Sequence, residues 1–319
     1  MNRSAPRSID QYLRQLREEL AGADSALIQD ALYDSEEYLR AEVAAHPDKS
    51  ESDVLELIAS TYGAPDEVAA AYRDTEVKVK AAMATPRKEA KSALGRFFGV
   101  FLDPRAYTSF FLMLLGLPRG LIYFVLVVTG LSLSAGFSVL IIGVPFFLAF
   151  MAVCRVISLA EGRLIEAMTG VRMPRRPVYQ GAASGFWARI GEMLRDRRTW
   201  STLAYFILML PIGILYFVIV AAGLSVSLSF IVLPVAVILA QAGWIGVDIF
   251  TDAQPAWLFD TGFGVPILVF AGLLLLTSLM HLARGIGRLH AMFAKTMLVA
   301  PTASSVPDAA QSGAALPAH

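Results

Sequence analysis

The sequence predicts an all-α protein, with a small helical bundle followed by a membrane domain of four spanning helices. Its 319 residues are 56% hydrophobic and have a mean hydropathy of +0.57, which is more apolar than an ordinary soluble domain. The apolar residues are also segregated. Residues 1–106 carry 14 Lys/Arg and 19 Asp/Glu, whereas residues 120–154 and 199–283 contain no Lys or Arg. We assign these two stretches to the membrane.

Residues 1–81 are expected to form a cytoplasmic bundle of about four short helices. Apolar side chains recur at helical spacing in three successive segments. A fourth helix is expected to begin at Pro65, because proline suits the first position of a helix. Asp66 and Glu67 follow it and suit the positive end of the helix dipole. The bundle therefore has the local signals of a small domain of its own.

The charge of this bundle bears on its partners. It contains nine Lys/Arg and seventeen Asp/Glu, a net charge of 9 − 17 = −8. Such a surface repels nucleic acid and anionic lipid, so we expect no direct nucleic acid binding, and we expect any charged partner to be basic. The candidate residues for that partner surface are Asp30, Asp34 and Glu37.

Two further segments flank the membrane domain. Residues 82–106 place Lys88, Lys91 and Arg96 near several phenylalanines, a pattern typical of a basic segment at the membrane interface. Residues 299–319 are rich in Ala, Ser and Pro and have no periodicity. We expect this tail to be disordered.

The membrane domain carries an internal repeat. Residues 93–138 align with residues 186–231 at an offset of 93, and a second match farther along has an offset of 121. The difference places 28 extra residues inside the second repeat. The matching motifs are Leu-Pro-Xaa-Gly at 117–120 and 210–213, Gly-Leu-Ser at 130–132 and 223–225, and Gly-Val-Pro at 143–145 and 264–266. We interpret the domain as two tandem hairpins.

Charge predicts the topology of these hairpins. The first is expected at 107–160 and the second at 202–298, with an arginine-rich connector and interfacial helix at 161–201. The positive-inside rule then places the connector and both termini on the cytoplasmic side of the membrane. An even number of spans requires an exterior insertion at 231–263. We expect the third span to end near residue 228, and the apolar first part of the insertion, 231–249 with a break at Pro234, to lie in or dip into the outer leaflet.

Arg119 and the duplicated proline-glycine motifs are candidates for function within the spans. Two interpretations of Arg119 remain open: its side chain snorkels toward lipid phosphates, or it contacts a ligand or another helix in the interior. The motifs supply candidate hinges at Pro118, Gly120, Pro211 and Gly213. The alternative is that their prolines make kinks that only help the hairpins to pack.

The exterior insertion holds aromatic and acidic residues that, with Arg119, are candidates for signal or ligand binding. They are Trp244, Asp248, Asp252, Trp257 and Asp260. Because loops on a rigid scaffold often bind ligands, 231–263 is expected to cap the spans and bind an amphipathic or cationic ligand. The alternative is a loop on the membrane surface with aromatic belt residues.

Arginines near the span ends are candidates for contact with anionic lipid. They are Arg189, Arg195, Arg197, Arg198, Arg284 and Arg288. Membrane lipids are therefore expected partners, and we interpret His281 and His290 as anchors near the headgroups in preference to proton switches.

The sequence lacks three common motifs of enzyme chemistry. The sequence has no His-Glu-Xaa-Xaa-His zinc motif, no Gly-Xaa-Ser-Xaa-Gly nucleophile elbow and no phosphate-binding Gly-Xaa-Xaa-Xaa-Xaa-Gly-Lys loop. We expect no enzymatic activity, no cofactor and no metal. The single cysteine, Cys154, lies in an apolar run and is interpreted as a packing residue.

Several of these segments resemble known families. Residues 34–39 (Asp-Ser-Glu-Glu-Tyr-Leu) and 62–69 (Tyr-Gly-Ala-Pro-Asp-Glu-Val-Ala) resemble the HAAS domain, a helical module associated with bacterial sensors. The duplicated Leu-Pro-Xaa-Gly motif and the segments 195–200 and 284–290 resemble the "putative sensor" membrane domain that often precedes histidine kinases in actinobacteria. Unlike those proteins, this chain is expected to have no kinase after Lys295.

The resemblance implies a membrane sensor that relays a membrane or exterior cue to a separate cytoplasmic protein. HAAS-type proteins are often encoded beside PadR-type transcriptional regulators, so such a regulator is one implied partner. A small transporter or export accessory protein is the alternative, because tandem hairpins with broken apolar segments can also form a permeation path.

Overall fold

In the computed structural model, the described residues are 5–83, 92–138, 142–176, 191, 194–244 and 263–299. This part of the chain is helical and contains no strand, which confirms the all-α fold class. The chain divides into two compact units. The first holds the described residues of 1–82, 174–182 and 299–319, and the second those of 83–173 and 183–298.

The first unit contains the four predicted helices of the acidic domain. They are α1 Ile9–Glu19, α2 Ser25–Ala45, α3 Glu51–Thr61 and α4 Pro65–Met83. The first three begin at side-chain caps, in which Ser8, Asp24 and Ser50 each accept a hydrogen bond from a backbone N–H of the first turn. Pro65 is the first residue of α4, and Asp66 and Glu67 lie in its first turn, as the sequence predicts.

The core of this domain is formed where the apolar faces of the four helices meet. Its most buried side chains include Tyr12, Leu16, Leu20, Leu39 and Val54, each no more than 1% exposed. The Tyr12 hydroxyl donates a hydrogen bond of 2.9 Å to the carbonyl of Gly63. Gly63 has φ +107°, a left-handed conformation that glycine adopts without strain. Tyr12 thereby ties α1 to the turn between α3 and α4.

The second unit is a bundle of long apolar helices. Its elements are α5 Ala93–Phe98, a 3₁₀ turn at Gly99–Leu102, α6 Pro104–Leu114, α7 Gly116–Phe137, α8 Gly143–Thr169, α9 Arg197–Gln241 and α10 Gly264–Leu298. Four of the described helices, α7 to α10, are long and apolar enough to cross a membrane. The protein is therefore a multi-pass membrane protein.

The helix break in the first hairpin differs from the predicted proline kink. The chain leaves the helix at Leu115, between α6 and α7, so Pro118 lies in the first turn of α7. A missing N–H has little effect there, because the first donors of a helix lack partners in any case. Its repeat counterpart Pro211 lies inside the continuous helix α9.

The third span also differs from the prediction. Helix α9 runs through Pro234 without a break and ends at Gln241, so the first part of the expected insertion continues the span. One proline removes only one backbone hydrogen bond. Leaving the helix would expose many more peptide groups to an apolar environment. Similarly, α8 extends to Thr169, past the predicted end of the first hairpin at residue 160.

Local structure recurs at the predicted offset of 93 residues. Asp103 and its counterpart Asp196 each cap a helix. Among the described residues, three side-chain hydrogen bonds to carbonyl oxygens also have equivalents in the second half. These pairs are Thr108 to Arg105 (3.2 Å) with Ser201 to Arg198 (3.0 Å), Tyr107 to Phe101 (3.0 Å) with Trp200 to Leu194 (2.8 Å), and Ser134 to Gly130 (2.6 Å) with Ser227 to Gly223 (2.7 Å).

Helices α7 and α9 cross at the duplicated motif, and their backbones touch there. A Cβ atom added to Gly120 would overlap the carbonyl of Met209, and one added to Gly213 would overlap the carbonyl of Gly116. The two contacts are reciprocal, since Met209 and Gly213 lie 93 residues after Gly116 and Gly120. Absence of side chains at these positions permits the close crossing.

Candidate functional site

A buried ion pair lies inside the membrane domain. The Arg119 guanidinium, in the first turn of α7, donates to the Glu161 carboxylate of α8 at 2.6 Å. Glu161 is 1% exposed and Arg119 is 9% exposed. Charged groups are seldom fully buried unless they are paired, and within a membrane span they commonly mark functional positions.

Two tyrosines complete the environment of the Glu161 carboxylate. The Tyr123 hydroxyl, one helical turn after Arg119, donates to Oε2 at 2.6 Å. The Tyr205 hydroxyl of α9 donates to Oε1 at 2.9 Å. The carboxylate thus accepts three hydrogen bonds from two neighbouring helices, which compensates for the loss of water around its charge.

A histidine of α10 extends this group of polar side chains. His290 is 1% exposed. Its Nε2 lies 3.4 Å from the Tyr205 hydroxyl, and its Nδ1 lies 3.5 Å from the Tyr216 hydroxyl. These distances are at the long end for hydrogen bonds. We call Arg119, Tyr123, Glu161, Tyr205, Tyr216 and His290 the polar cluster.

Arg119 also connects the polar cluster to the helix break. Its second terminal nitrogen donates to the Leu112 carbonyl at 3.0 Å, and its Nε donates to the Leu115 carbonyl at 3.3 Å. Leu112 lies in the last turn of α6, where carbonyls have no partner within their own helix. One guanidinium therefore binds the end of α6, the start of α7 and the carboxylate of α8.

This arrangement makes the packing of four helices depend on one carboxylate. Removing the charge of Glu161, or moving it, changes hydrogen bonds on α7 and α9 together. In an apolar interior an unpaired charge is costly, so such a network has few intermediate arrangements. The hydrogen-bond network around Glu161 can therefore stabilise one packing of these helices, and its loss would affect all of them together.

The sequence predicted only part of the polar cluster. Of the two interpretations of Arg119, the structure has the interior one. Glu161 and Tyr205 were missed, and His290 was interpreted as a headgroup anchor. Glu161 was missed because its charged neighbourhood was assigned to the connector. A usable signal was Tyr123 and its repeat counterpart Tyr216, since paired hydroxyls inside apolar helices need polar partners.

The candidate hinges and ligand residues have mixed outcomes. Gly120 and Gly213 lie at the crossing of α7 and α9, and their hinge role stays a prediction. Trp244 follows the end of α9 and is 82% exposed. Asp248, Asp252, Trp257 and Asp260 lie outside the described residues, so the ligand-binding loop stays a prediction.

The candidate lipid contacts lie at the helix ends. Arg195, Arg197 and Arg288 are exposed, and Arg198 is partly buried in the first turn of α9. Arg284 donates to the Asp103 carboxylate at 3.0 Å, so this arginine also has a structural contact. Arg189 lies outside the described residues.

His281 makes a contact other than the predicted one. Its Nε2 lies 2.9 Å from the Phe97 carbonyl, and the two rings stack with centroids 5.4 Å apart. This side chain therefore joins α10 to α5.

The candidate partner surface of the acidic domain is partly occupied by the protein itself. Asp30 accepts hydrogen bonds from the backbone N–H groups of Arg175 and Arg176, and Arg176 also forms an ion pair with Asp34. Residues 174–176 belong to the same compact unit as α1 to α4. Glu37 is exposed.

Comparison with known proteins addresses the membrane domain. A family model described as "Putative sensor" matches residues 112–298. No curated protein and no solved structure matches the chain. The matched segment includes every residue of the polar cluster and all of α7 to α10, and it covers more than half of the chain. The protein belongs to this family of membrane sensors.

Proposed function

We propose that the polar cluster is the switch of a bacterial plasma-membrane sensor, and that the acidic helical domain passes its state to a cytoplasmic protein. The observation that carries this proposal is the position of Glu161. Its carboxylate accepts hydrogen bonds from α7 and α9, and its own helix, α8, ends at Thr169, seven residues before Arg176. A cue that alters the packing of any of these helices alters the partners of this group.

The energetics favour two discrete states. Breaking a buried ion pair costs on the order of 3–5 kcal/mol. An arrangement in which the two charges are only partly separated is therefore unstable, and in a second stable state each charge must have new partners. A cue with different affinities for two such arrangements shifts their populations. A change in lateral pressure, a lipid or an amphipathic ligand can each act in this way.

The chain offers a direct route for the relay. Helix α8 ends at Thr169, so the part of the predicted connector that follows the helix begins at Gly170. This glycine adopts φ +72°, which changes the direction of the backbone there. Met173 packs near Gly162 on α8, and its N–H lies 3.4 Å from the Glu166 carboxylate. The connector thus begins fixed to the helix that carries Glu161.

The acidic domain is the proposed output. Its resemblance to HAAS domains implies a signalling role, and its net charge suits a partner with a basic surface. A PadR-type transcriptional regulator is the partner that the resemblance implies. No specific observation favours the transporter alternative, because the polar groups of the cluster bond to one another.

Response in the host tests the proposal. Transcript profiles are compared for the wild type, a deletion, Glu161→Gln and the exposed matched control Arg163→Gln, each treated with a cationic amphipathic peptide, an alcohol or acidified medium. We expect the deletion to lose a defined response, Glu161→Gln to respond abnormally and Arg163→Gln to resemble the wild type. If the deletion and the wild type respond identically to all treatments, the sensor proposal is wrong.

A further inference from the structure

The connector lies against α2 of the acidic domain through its main chain. The backbone N–H groups of Arg175 and Arg176 both donate to Oδ1 of Asp30, at 2.8 and 2.9 Å. The Gln29 side-chain amide donates to the Arg176 carbonyl at 2.6 Å. Asp30 is 5% exposed and Gln29 is 7% exposed in this arrangement. Two buried polar side chains thus hold one short stretch of backbone.

The Arg176 side chain adds a charged contact. Its Nε lies 2.8 Å from Oδ1 of Asp34, and its guanidinium lies over the Tyr33 ring, 5.8 Å from the ring centre. The other oxygen of Asp34 accepts a hydrogen bond of 3.2 Å from the Tyr72 hydroxyl of α4. Tyr72 holds the carboxylate in place for the arginine, so the charge contact is positioned by the core of the domain.

The four contacting residues form a continuous strip on α2. Positions 29, 30, 33 and 34 lie on one face because residues three or four apart are neighbours on a helix. The strip combines a carboxylate for backbone N–H groups, an amide for a carbonyl, and a carboxylate and an aromatic face for a guanidinium. These are the groups that recognise a short basic segment in a defined register.

We propose that this strip is a receptor site for a short segment with an arginine in the position of Arg176, and that Arg175 and Arg176 of the same chain are its resting occupant. A cytoplasmic partner presenting such a segment binds the strip after the connector leaves it. The identity of the site follows from the contacts above. Its use as an output rests on the proposed function, because movement of α8 is what withdraws the connector.

Occupation of the strip by the connector affects how the acidic domain binds a partner. A net charge of −8 attracts basic segments at long range. Occupation by the connector lowers the fraction of molecules that can bind a partner, and apparent affinity falls by the same factor. The resting protein is then silent until the connector is displaced.

Peptide binding to the full-length protein in detergent tests the site. The probe is a fluorescent peptide of residues 171–180, measured by anisotropy against the wild type, Arg176→Ala, and Arg176→Ala combined with Asp34→Asn. Since Arg176→Ala weakens the internal occupant, we expect it to bind the peptide at least about tenfold more tightly than the wild type. Adding Asp34→Asn should abolish this gain.

Controls separate recognition from nonspecific charge attraction. A peptide with glutamine in place of Arg176 should bind all proteins weakly, and Arg163→Ala in the protein should leave binding at the wild-type level. Equal binding by the wild type and Arg176→Ala, or binding that survives Asp34→Asn, overturns the proposal. Absence of binding to every variant overturns it as well.

A second variant distinguishes the site from the relay. Glu161→Gln should increase peptide binding if the polar cluster controls the connector. If Arg176→Ala gains affinity and Glu161→Gln does not, the receptor site stands and the proposed relay fails. If Glu161→Gln alters the response of cells but no variant binds the peptide, the sensor stands and the receptor site fails.

Discussion

Arg119 and Glu161 are 42 positions apart in the sequence and meet at 2.6 Å in the interior of the membrane domain. Neither residue has a charged counterpart in the other half of the repeat, because Ile212 stands where Arg119 would recur and Leu282 where Glu161 would recur. The pair therefore lies in only one half of the predicted repeat.

Truncating one member of this pair should destabilise the membrane domain strongly. Arg119→Ala or Glu161→Ala leaves the other charge buried without its partner, and we expect a loss of about 3 kcal/mol. Replacing both residues by methionine should cost much less than either single change. Unfolding in mixed micelles with increasing dodecyl sulfate measures these differences.

Arg163 is the matched control for the pair, since it is an exposed residue on α8 two positions after Glu161. Arg163→Ala should change stability by less than about 0.5 kcal/mol. Single and double variants with equal losses would contradict the coupling between Arg119 and Glu161.

The glycines at the crossing of α7 and α9 should not tolerate a methyl group. Gly120→Ala and Gly213→Ala place it against backbone atoms, which cannot turn aside, so we expect a loss of about 1–3 kcal/mol or more in the same assay. Gly136→Ala in α7 meets no atom within 4 Å. It should be neutral or stabilise the helix by roughly 0.5–1 kcal/mol, and a similar loss at all three positions would refute the crossing.

The acidic domain should fold as a fragment of residues 1–83 and lose stability at alkaline pH. Burial raises the pKa of Tyr12, and burial followed by the nearby Asp34 carboxylate raises the pKa of Tyr72. Above the ordinary tyrosine pKa of about 10, the unfolded chain releases protons that the folded domain retains, so unfolding becomes more favourable. Melting followed by circular dichroism should be nearly constant from pH 7 to about 9 and fall above about pH 10.

Tyr12→Phe separates this effect from general alkaline denaturation. The variant loses the hydrogen bond to Gly63, so its free energy of unfolding at neutral pH should be about 1 kcal/mol lower than that of the wild type. Its further decline above about pH 10 should be shallower than that of the wild type. An identical decline in both proteins, or a fragment without a cooperative melt, would contradict the prediction.

Reporter fusions test the orientation of the four spans. A reporter after Gly181 or after Ala300 should be active in the cytoplasm, because arginine-rich segments precede both positions. A reporter inserted near Gln254 should be active outside. Cytoplasmic activity at Gln254 would show that the number of spans between Gly181 and Gln254 is even, contrary to the four-span topology.

Periodicity and the start signal at Pro65 predicted the helices of the acidic domain, because they depend on neighbouring residues. The bundle of α1 to α4 follows from local sequence. The continuity of α9 through Pro234 could not be predicted in this way. A proline weakens a helix locally, but whether the helix breaks depends on what surrounds the exposed peptide groups.

The polar cluster depends on contacts that sequence spacing does not reveal. Glu161 and His290 become buried only when α8 and α10 pack beside α7 and α9. In the sequence alone, each residue has charged neighbours and resembles the polar end of a helix. The acidic strip on α2 poses the same difficulty. Its charge pointed to a basic partner, but the occupant comes from Arg175 and Arg176, far along the same chain.

The unbroken length of α9 has a mechanical consequence. Its 45 residues have a length of about 67 Å, and the tight crossing at Gly213 divides the helix into a longer arm of about 42 Å ending at Gln241 and a shorter arm of about 24 Å beginning at Arg197. If the helix rocks about that crossing as a fulcrum, a sideways push at Gln241 moves Arg197 in the opposite direction by a little more than half as much. Tyr205 lies on the shorter arm, and its hydroxyl donates a hydrogen bond to Glu161. Such a motion of α9 would therefore move the Tyr205 hydroxyl relative to the buried carboxylate.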